Sequence, residues 1–244
     1  MKKFVQNSII IVLLLLVEQT VWSQEHENFW FRTTLSIPVT KKFKTDFELQ
    51  HRRQNNLESS NPFDKNLMYT FRTWVYYKKS KEVLFALSPF AYFSNYKIIQ
   101  KASDAFAKPI GEYRFTASVE LQNQLVKKVF LVNRTAFEYR AFEGSIENTT
   151  RLRNKLGLKY ELTEKYSTLI GDEILINTSG TDSANLFDQN RLFANISYQP
   201  QPSVKIDFGY LYISRLLKNN TDLIKDNNFY LHFTYTLPNH EKHS

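Results

Sequence analysis

The chain has 244 residues, a formal charge of +8, no Cys, and 15% aromatic residues at a mean hydropathy of −0.42. The lack of Cys excludes disulfides and lipid attachment through an N-terminal Cys. The aromatic content argues against a disordered chain, and beyond the first residues no stretch is apolar enough for a membrane helix. The positive charge falls partly in short turns, Lys41-Lys42, Lys78-Lys79-Ser80-Lys81 and Lys127-Lys128. No Gly-rich phosphate loop, RNA-binding aromatic motif or zinc spacing accompanies them, so nucleic acid is not an expected partner.

Residues 1–23 read as a secretory signal. Lys2 and Lys3 make a basic start, 8–17 is an apolar run, and Val21-Trp22-Ser23 offers small residues for cleavage. The run is about half of the ~20 residues a spanning helix needs, which disfavours a membrane anchor. Residues 24–244 are then the mature domain.

From there the chain alternates polar and apolar residues at a period of two, the mark of half-buried strands. Segment 29–37 alternates, 38–42 turns it, and 43–52 returns to complete a hairpin. A polar loop, 53–66, carries Asn55-Asn56, Ser59-Ser60 and Asn61-Pro62. Segments 67–77 and 83–94 form the next hairpin, and Pro89 interrupts the second of them toward an edge or bulge. After the loop 95–109 come three strongly alternating segments. In 111–122, Tyr113, Phe115, Ala117, Val119 and Leu121 oppose Glu112, Arg114, Thr116, Ser118, Glu120 and Gln122. In 129–140, Leu131, Phe137 and Tyr139 oppose Arg134, Glu138 and Arg140. In 149–162, Leu152, Leu156, Leu158, Tyr160 and Leu162 oppose Arg151, Arg153, Lys155, Lys159 and Glu161. Segment 166–176 follows with weaker alternation, because Leu169-Ile170 and Ile174-Leu175-Ile176 are apolar on both faces. Segments 186–198, 204–213 and 227–237 complete the chain, separated by the loops 177–185 and 214–226 and the turn 199–203.

These are eleven strands whose connections alternate short and long, as in bacterial transmembrane barrels with tight periplasmic turns and longer external loops. An antiparallel meander of odd length brings its first and last strands together parallel, whereas bacterial barrels are even. Either a twelfth strand exists or 29–37 lies outside a ten-stranded barrel. Size then sets the direction of the faces. About eight strands already give an interior that side chains just fill, so ten to twelve strands lined with Phe, Tyr and Leu would enclose a dry void. Turned outward, the same residues meet lipid, and the charged face lines a wet lumen. The expected fold is therefore all-β, a single antiparallel transmembrane barrel of 10–12 strands in the outer membrane. A soluble exported β-sandwich or binding protein is the alternative architecture.

The early Trp30 strand with its Thr40-Lys41-Lys42-Phe43 turn, the Glu138-Tyr139-Arg140 strand end and the Arg151-Leu152-Arg153 start of the next strand resemble the domain of unknown function 2490 family. The likeness extends over nearly the whole mature chain. It implies an exported Gram-negative outer-membrane barrel with no established activity.

A catalytic alternative is an outer-membrane lipid hydrolase using a Ser–His pair. Of the five His, only His51 and His232 sit in strands, and neither has Ser in a His-x-Ser pattern. His240 and His243 have only Glu241 as a further ligand, which points to a tail and not a metal site. No motif implies a cofactor or a metal, and no enzyme activity is expected. The residues singled out are a lumenal charge ladder of Glu112, Arg114, Arg134, Glu138, Arg140, Arg151, Arg153 and Lys155. If paired positions across 123–128 sum to 252, Glu112 faces Arg140 and Arg114 faces Glu138. A sum of 289 at the next connection sets Arg151 beside Glu138, between two guanidiniums. Arg153, Lys155 and Lys159 outnumber the acids near them, so the solute expected in this lumen is small and anionic, and the expected lipid partner is the outer membrane.

Overall fold

The structure, a computed structural model, describes residues 25–144, 146–181, 186–216 and 223–238. The segment 1–23 and the tail His240 and His243 lie outside the described residues. Twelve strands form one sheet: β1 (Glu25–Pro38), β2 (Phe43–Gln54), β3 (Lys65–Lys78), β4 (Val83–Ser88), β5 (Ala91–Asn95), β6 (Ile110–Val126), β7 (Val129–Phe142), β8 (Thr149–Glu161), β9 (Tyr166–Ser179), β10 (Phe187–Gln201), β11 (Val204–Leu216) and β12 (Leu223–Thr236). β4 and β5 lie end to end between β3 and β6. They are one row broken at Pro89 and Phe90, where proline removes a ladder donor. Twelve strands with two sharing a row leave eleven rows.

The barrel closes through β1 and β12, which pair parallel and in register from Glu25↔Lys225 to Ser36↔Thr236. The expected choice between ten and twelve strands is thereby corrected: 29–37 belongs to the wall, and the odd count is resolved by a parallel seam. Asn28 Nδ2 donates to Asn228 Oδ1 at 3.0 Å across this seam, with both residues buried. Asn228 Nδ2 in turn donates to the carbonyls of Leu211 and Asp226. An amide pair satisfied on both sides penalises a slip, which would leave buried donors unmet.

Alternation sends every second side chain outward, and the outward set is apolar. Phe31, Phe47, Leu49, Phe71, Phe115, Phe137, Leu156, Leu158, Ile170, Ile196 and Phe208 are each exposed, a surface too large and continuous for a soluble monomer. Rings gather at both ends of it. Phe43, Tyr77 and Phe85 follow one another at the short-turn end, with Tyr166 stacked on Tyr198. His51, Tyr69 and Tyr96 do so at the other end, with Tyr92 on Tyr113 and Tyr210 on Phe229. An apolar band between two aromatic girdles is the outer surface of a transmembrane barrel.

Inside, the wall is not uniform. Trp30, Phe193, Leu211, Ile213 and Tyr230 form a buried apolar cluster against β9–β12 and β1, with Leu169 packed on it. This accounts for the weak alternation of β9, whose inner residue Leu175 is fully buried. The Phe193 ring lies over the directly paired Gly157 and Gly171; a Cβ on Gly171 would stand 2.1 Å from the Leu156 carbonyl and 2.7 Å from Phe193 Cζ.

Short connections (39–42, 79–82, 127–128, 162–165, 202–203) share one end of the barrel and long ones (55–64, 96–109, 143–148, 180–186) the other. The longest is tethered. Gln54, 1% exposed, donates to the carbonyls of Asn66 and Lys97 and accepts from Ile99 N–H. Asp104 accepts from the backbone N–H groups of Gln100 and Lys101 and pairs with Lys97 Nζ at 2.6 Å. The Lys97 contact holds the Asp104 carboxyl below the usual carboxylate range. A lowered folded pKa contributes stability above the unfolded value of about 3.9 and loses it as pH falls through the folded pKa. Amide protection of Gln100 and Lys101 is expected to drop on acidification below about pH 4, and Asp104→Asn to abolish that pH dependence.

The odd count puts residue 25 at the long-loop end and residue 236 at the short-turn end. The absence of Cys makes single-Cys labelling free of background. With long loops outward, Ser60→Cys and Glu27→Cys are expected to react with an impermeant maleimide on intact cells. Ser80→Cys and Leu237→Cys should react only after permeabilisation; the reverse pattern would invert the topology.

Candidate functional site

The inward face carries the charge, because a charged side chain on the lipid side at mid-depth costs about 2–4 kcal/mol. Its centre is Glu138 on β7, fully buried. Arg151 donates to Glu138 Oε2 from Nε at 3.0 Å and from Nη2 at 2.6 Å. Arg153 Nη1 donates to Oε1 at 2.8 Å. Arg72 and Arg114 complete the surround at 3.7 and 3.8 Å. Four guanidiniums from β3, β6 and β8 thus converge on one carboxylate.

The β7–β8 register has Glu138 opposite Arg151, as the sum of 289 requires. The β6–β7 register differs from the expected sum of 252. Glu112 faces Phe142, Arg114 faces Arg140 and Thr116 faces Glu138. The turn is tighter and later than 123–128 suggests: its tip is Lys127-Lys128, Lys128 takes a positive φ of 68°, and the register shifts between Gln124 and Val126. The faces stay matched, but the pairing moves by one inward residue. Arg114 against Arg140 would be repulsive were Glu112 not two residues from Arg114 on the same face of β6 and diagonal to Arg140 across the pair. Glu112 Oε1 accepts from Arg114 at 2.9 and 2.7 Å and from Arg140 Nε at 2.7 Å, and Oε2 accepts from Arg140 Nη2 at 3.0 Å.

The remaining singled-out residues divide. Arg153 is neutralised by Glu173 as well as Glu138, at 2.6 Å, and Lys159 by Glu161 at 2.9 Å, so neither is the surplus cation the sequence suggested. Arg134 has no carboxylate partner among the described residues; it donates to Ser118 Oγ and lies over Trp74. Lys155 likewise sits over the Phe193 ring at 4.2 Å. The expectation of two strand histidines is corrected to three, because β1 begins at Glu25 and takes in the buried His26; His51 Nε2 meets Asn66 Oδ1 and stacks on Tyr69, while His232 Nδ1 meets Arg32 Nη2 at 2.8 Å.

Sequence reasoning passed over Arg32, Arg52, Arg72, Arg191 and Arg215, all of which face the interior. Arg32 and Arg52 occupy the polar parity of their strands, but Arg215 fell in the expected loop 214–226, and Arg191 shares its parity with the apolar Phe193. What was missing was the closure that brings β1–β3, β10 and β11 around to the triplet β6–β8.

Two cavities of about 600 Å³ each occupy the interior. The inner one is walled by twelve Arg and Lys side chains and three carboxylates, Asp46, Glu48 and Asp188. The outer one, toward the long loops, is mixed, with Leu67, Ile98, Ile110, Phe142, Phe187 and Leu216 among its lining. Glu112, Glu138 and Glu173 stand outside the inner lining, behind their arginines. Apart from Asp46, Glu48 and Asp188, the guanidiniums thus face the cavity while their carboxylate partners stand against the wall.

A family model described as "Protein of unknown function (DUF2490)" matches residues 27–237. No curated protein matches the chain. Among solved structures, the NanC porin aligns at 10% identity over 87% of this chain and 99% of its own, with a TM-score of 0.52. The outer membrane channel DcaP of Acinetobacter baumannii aligns at 10% identity over 79% and 80%, with a TM-score of 0.35. OmpT, an outer membrane protein of Vibrio cholerae, aligns at 6% identity over 75% and 58%, also at 0.35. The NanC likeness shows a shared barrel fold.

Removing Glu138 leaves four guanidiniums facing one another. Loss of one partner of a buried ion pair costs about 3–5 kcal/mol, and Glu138→Gln is expected to fall in that range by urea unfolding of the refolded barrel. Lys159→Gln, whose partner Glu161 is 41% exposed, should change stability by less than about 1 kcal/mol.

Proposed function

The chain belongs to the DUF2490 family of proteins of unknown function, and from that premise we propose that it is an outer-membrane channel-type barrel. In this reading its interior passes or holds small anionic solutes, and it works without enzymatic chemistry. The observation that carries the proposal is the imbalance of the inner cavity wall, twelve cations against three carboxylates. Low-dielectric walls that carry mostly one sign of charge concentrate counter-ions in a cleft, and the arginines that stand in front of Glu112, Glu138 and Glu173 present that charge to whatever enters. The apolar band and aromatic girdles support residence in a bilayer, and residues 1–23 support export to it. A porin built on the same fold is in keeping with a conducting role.

The density of inward side chains and the apolar cluster on one wall favour a constricted path over a wide one. Reconstituted in a planar bilayer under a salt gradient, the protein is expected to pass a small current whose reversal potential lies toward chloride. Replacing Arg134 and Arg191 together by Gln should move that potential toward the cation. A cation-selective current from the unmodified protein would overturn the reading.

A further inference from the structure

The two cavities meet at a boundary shared by Trp30, Arg52, Met68, Asn95, Arg140, Asp188 and Arg215. Most of the charge there is already matched. Arg140 is held by Glu112 at 2.7 Å, Arg215 by Asp226, and Asp188 by Arg151 at 2.5 Å. Arg52 differs. It donates Nε and Nη2 to the neutral Gln50 Oε1 at 3.0 and 2.9 Å, and its guanidinium carbon lies over the Trp30 ring, 3.6 Å from the centroid. Among the described residues no carboxylate pairs with it. Beneath it Trp30, 5% exposed, has an indole N–H with no acceptor. A half-buried cation without an anion and a buried donor without an acceptor occupy the same place, and a buried polar group left without a partner is costly.

We propose that this boundary binds a small organic monoanion, its carboxylate held by Arg52 and its apolar body lodged in the outer cavity; the proposal rests on the anion-channel reading above. One carboxylate is the right charge because one guanidinium at the boundary lacks a counter-charge. Stacking on Trp30 presents the guanidinium as a rigid fork, the geometry suited to bidentate carboxylate recognition. An apolar body fits because the outer side of the boundary is Leu67, Met68, Ile98 and Phe187. The volume of about 600 Å³ lies within the range of small-molecule sites. The inner cavity is lined mainly by charged and polar side chains, with fewer apolar groups to hold such a body. The site would therefore select among anions by their apolar part before passing them inward.

Trp30 makes the site self-reporting. The chain has three Trp, so a Trp22→Phe/Trp74→Phe protein emits from Trp30 alone. In detergent-refolded protein, benzoate is expected to change this emission saturably at a concentration at least tenfold below that required of acetate or inorganic phosphate. Arg52→Gln should lose the benzoate response by at least tenfold while keeping its strand circular dichroism and heat-modifiable mobility, and Arg52→Lys should recover part of it. Equal response to benzoate and acetate, or an Arg52→Gln protein that still binds benzoate normally, overturns the site. Reversal potentials of the parent protein separate the two claims. An anion-selective current without benzoate binding removes the site and leaves the channel, whereas Arg52-dependent benzoate binding in a protein without anion selectivity removes the channel and leaves the site.

Discussion

A carboxylate that no water reaches, ringed by four guanidiniums, is the constraint around which the barrel is organised. Glu138 is 0% exposed and receives Arg151 and Arg153 within 3 Å. A lipid-facing outer surface forces charge inward, and inward charge is tolerable only if opposite signs meet. Register is therefore set twice in this wall, once by the alternation that keeps apolar faces together and again by which Arg reaches which Glu. The β6–β7 hairpin illustrates the second rule. Two arginines lie directly opposite, and the arrangement holds because Glu112 accepts from both.

The interior divides by wall as well as by depth. The arc from β2 to β8 supplies most of the ionic network, and the arc from β9 through β12 to β1 supplies the apolar cluster of Phe193, Leu211, Ile213 and Tyr230. Glycines let the second arc fold inward: Gly171 leaves room for Phe193, and Gly209 for Tyr230, whose ring atoms would stand 2.4 Å from an added Cβ. Trp30 sits where the arcs meet, touching the cluster on one side and Arg52 on the other. A lumen with one charged wall and one apolar wall can hold an amphiphilic molecule in one orientation, which a uniformly charged tube cannot.

Much of this was legible in the sequence because a strand has a period of two. The parity of Glu112, Glu138 and Arg151 placed them on one face, and Pro89 announced the break between β4 and β5. The loss of alternation at Leu169-Ile170 and Ile174-Leu175-Ile176 was visible too, although only the closed barrel explains it as an inner apolar surface. What stayed hidden is non-local. The two-residue turn at Lys127-Lys128 moves every β6–β7 pair by one step, and no residue near Glu138 predicts that. Arg52 lies on the polar parity of β2, but its want of a carboxylate emerges only once eleven rows have closed. The expectation of an even strand count came from the general habit of bacterial barrels; Phe29 and Asn28, set in register with Phe229 and Asn228, override it.

The seam has a consequence for assembly. Every other junction in the wall joins strands that are near neighbours in the chain, so each can zip from its own turn. β1 and β12 are separated by about the full length of the barrel, with Asn28 and Asn228 200 positions apart. Their union carries the largest loop-closure cost, and its slanted parallel bonds are slightly weaker than those of the antiparallel junctions. Closure is thus the junction with the highest sequence separation in the wall, the kind of contact that slows folding. Until it happens the molecule is an open ribbon with two bare edges running in the same direction. Two such ribbons could satisfy each other edge to edge, making a double-sized ring the natural misassembly of this chain and dilution its natural remedy.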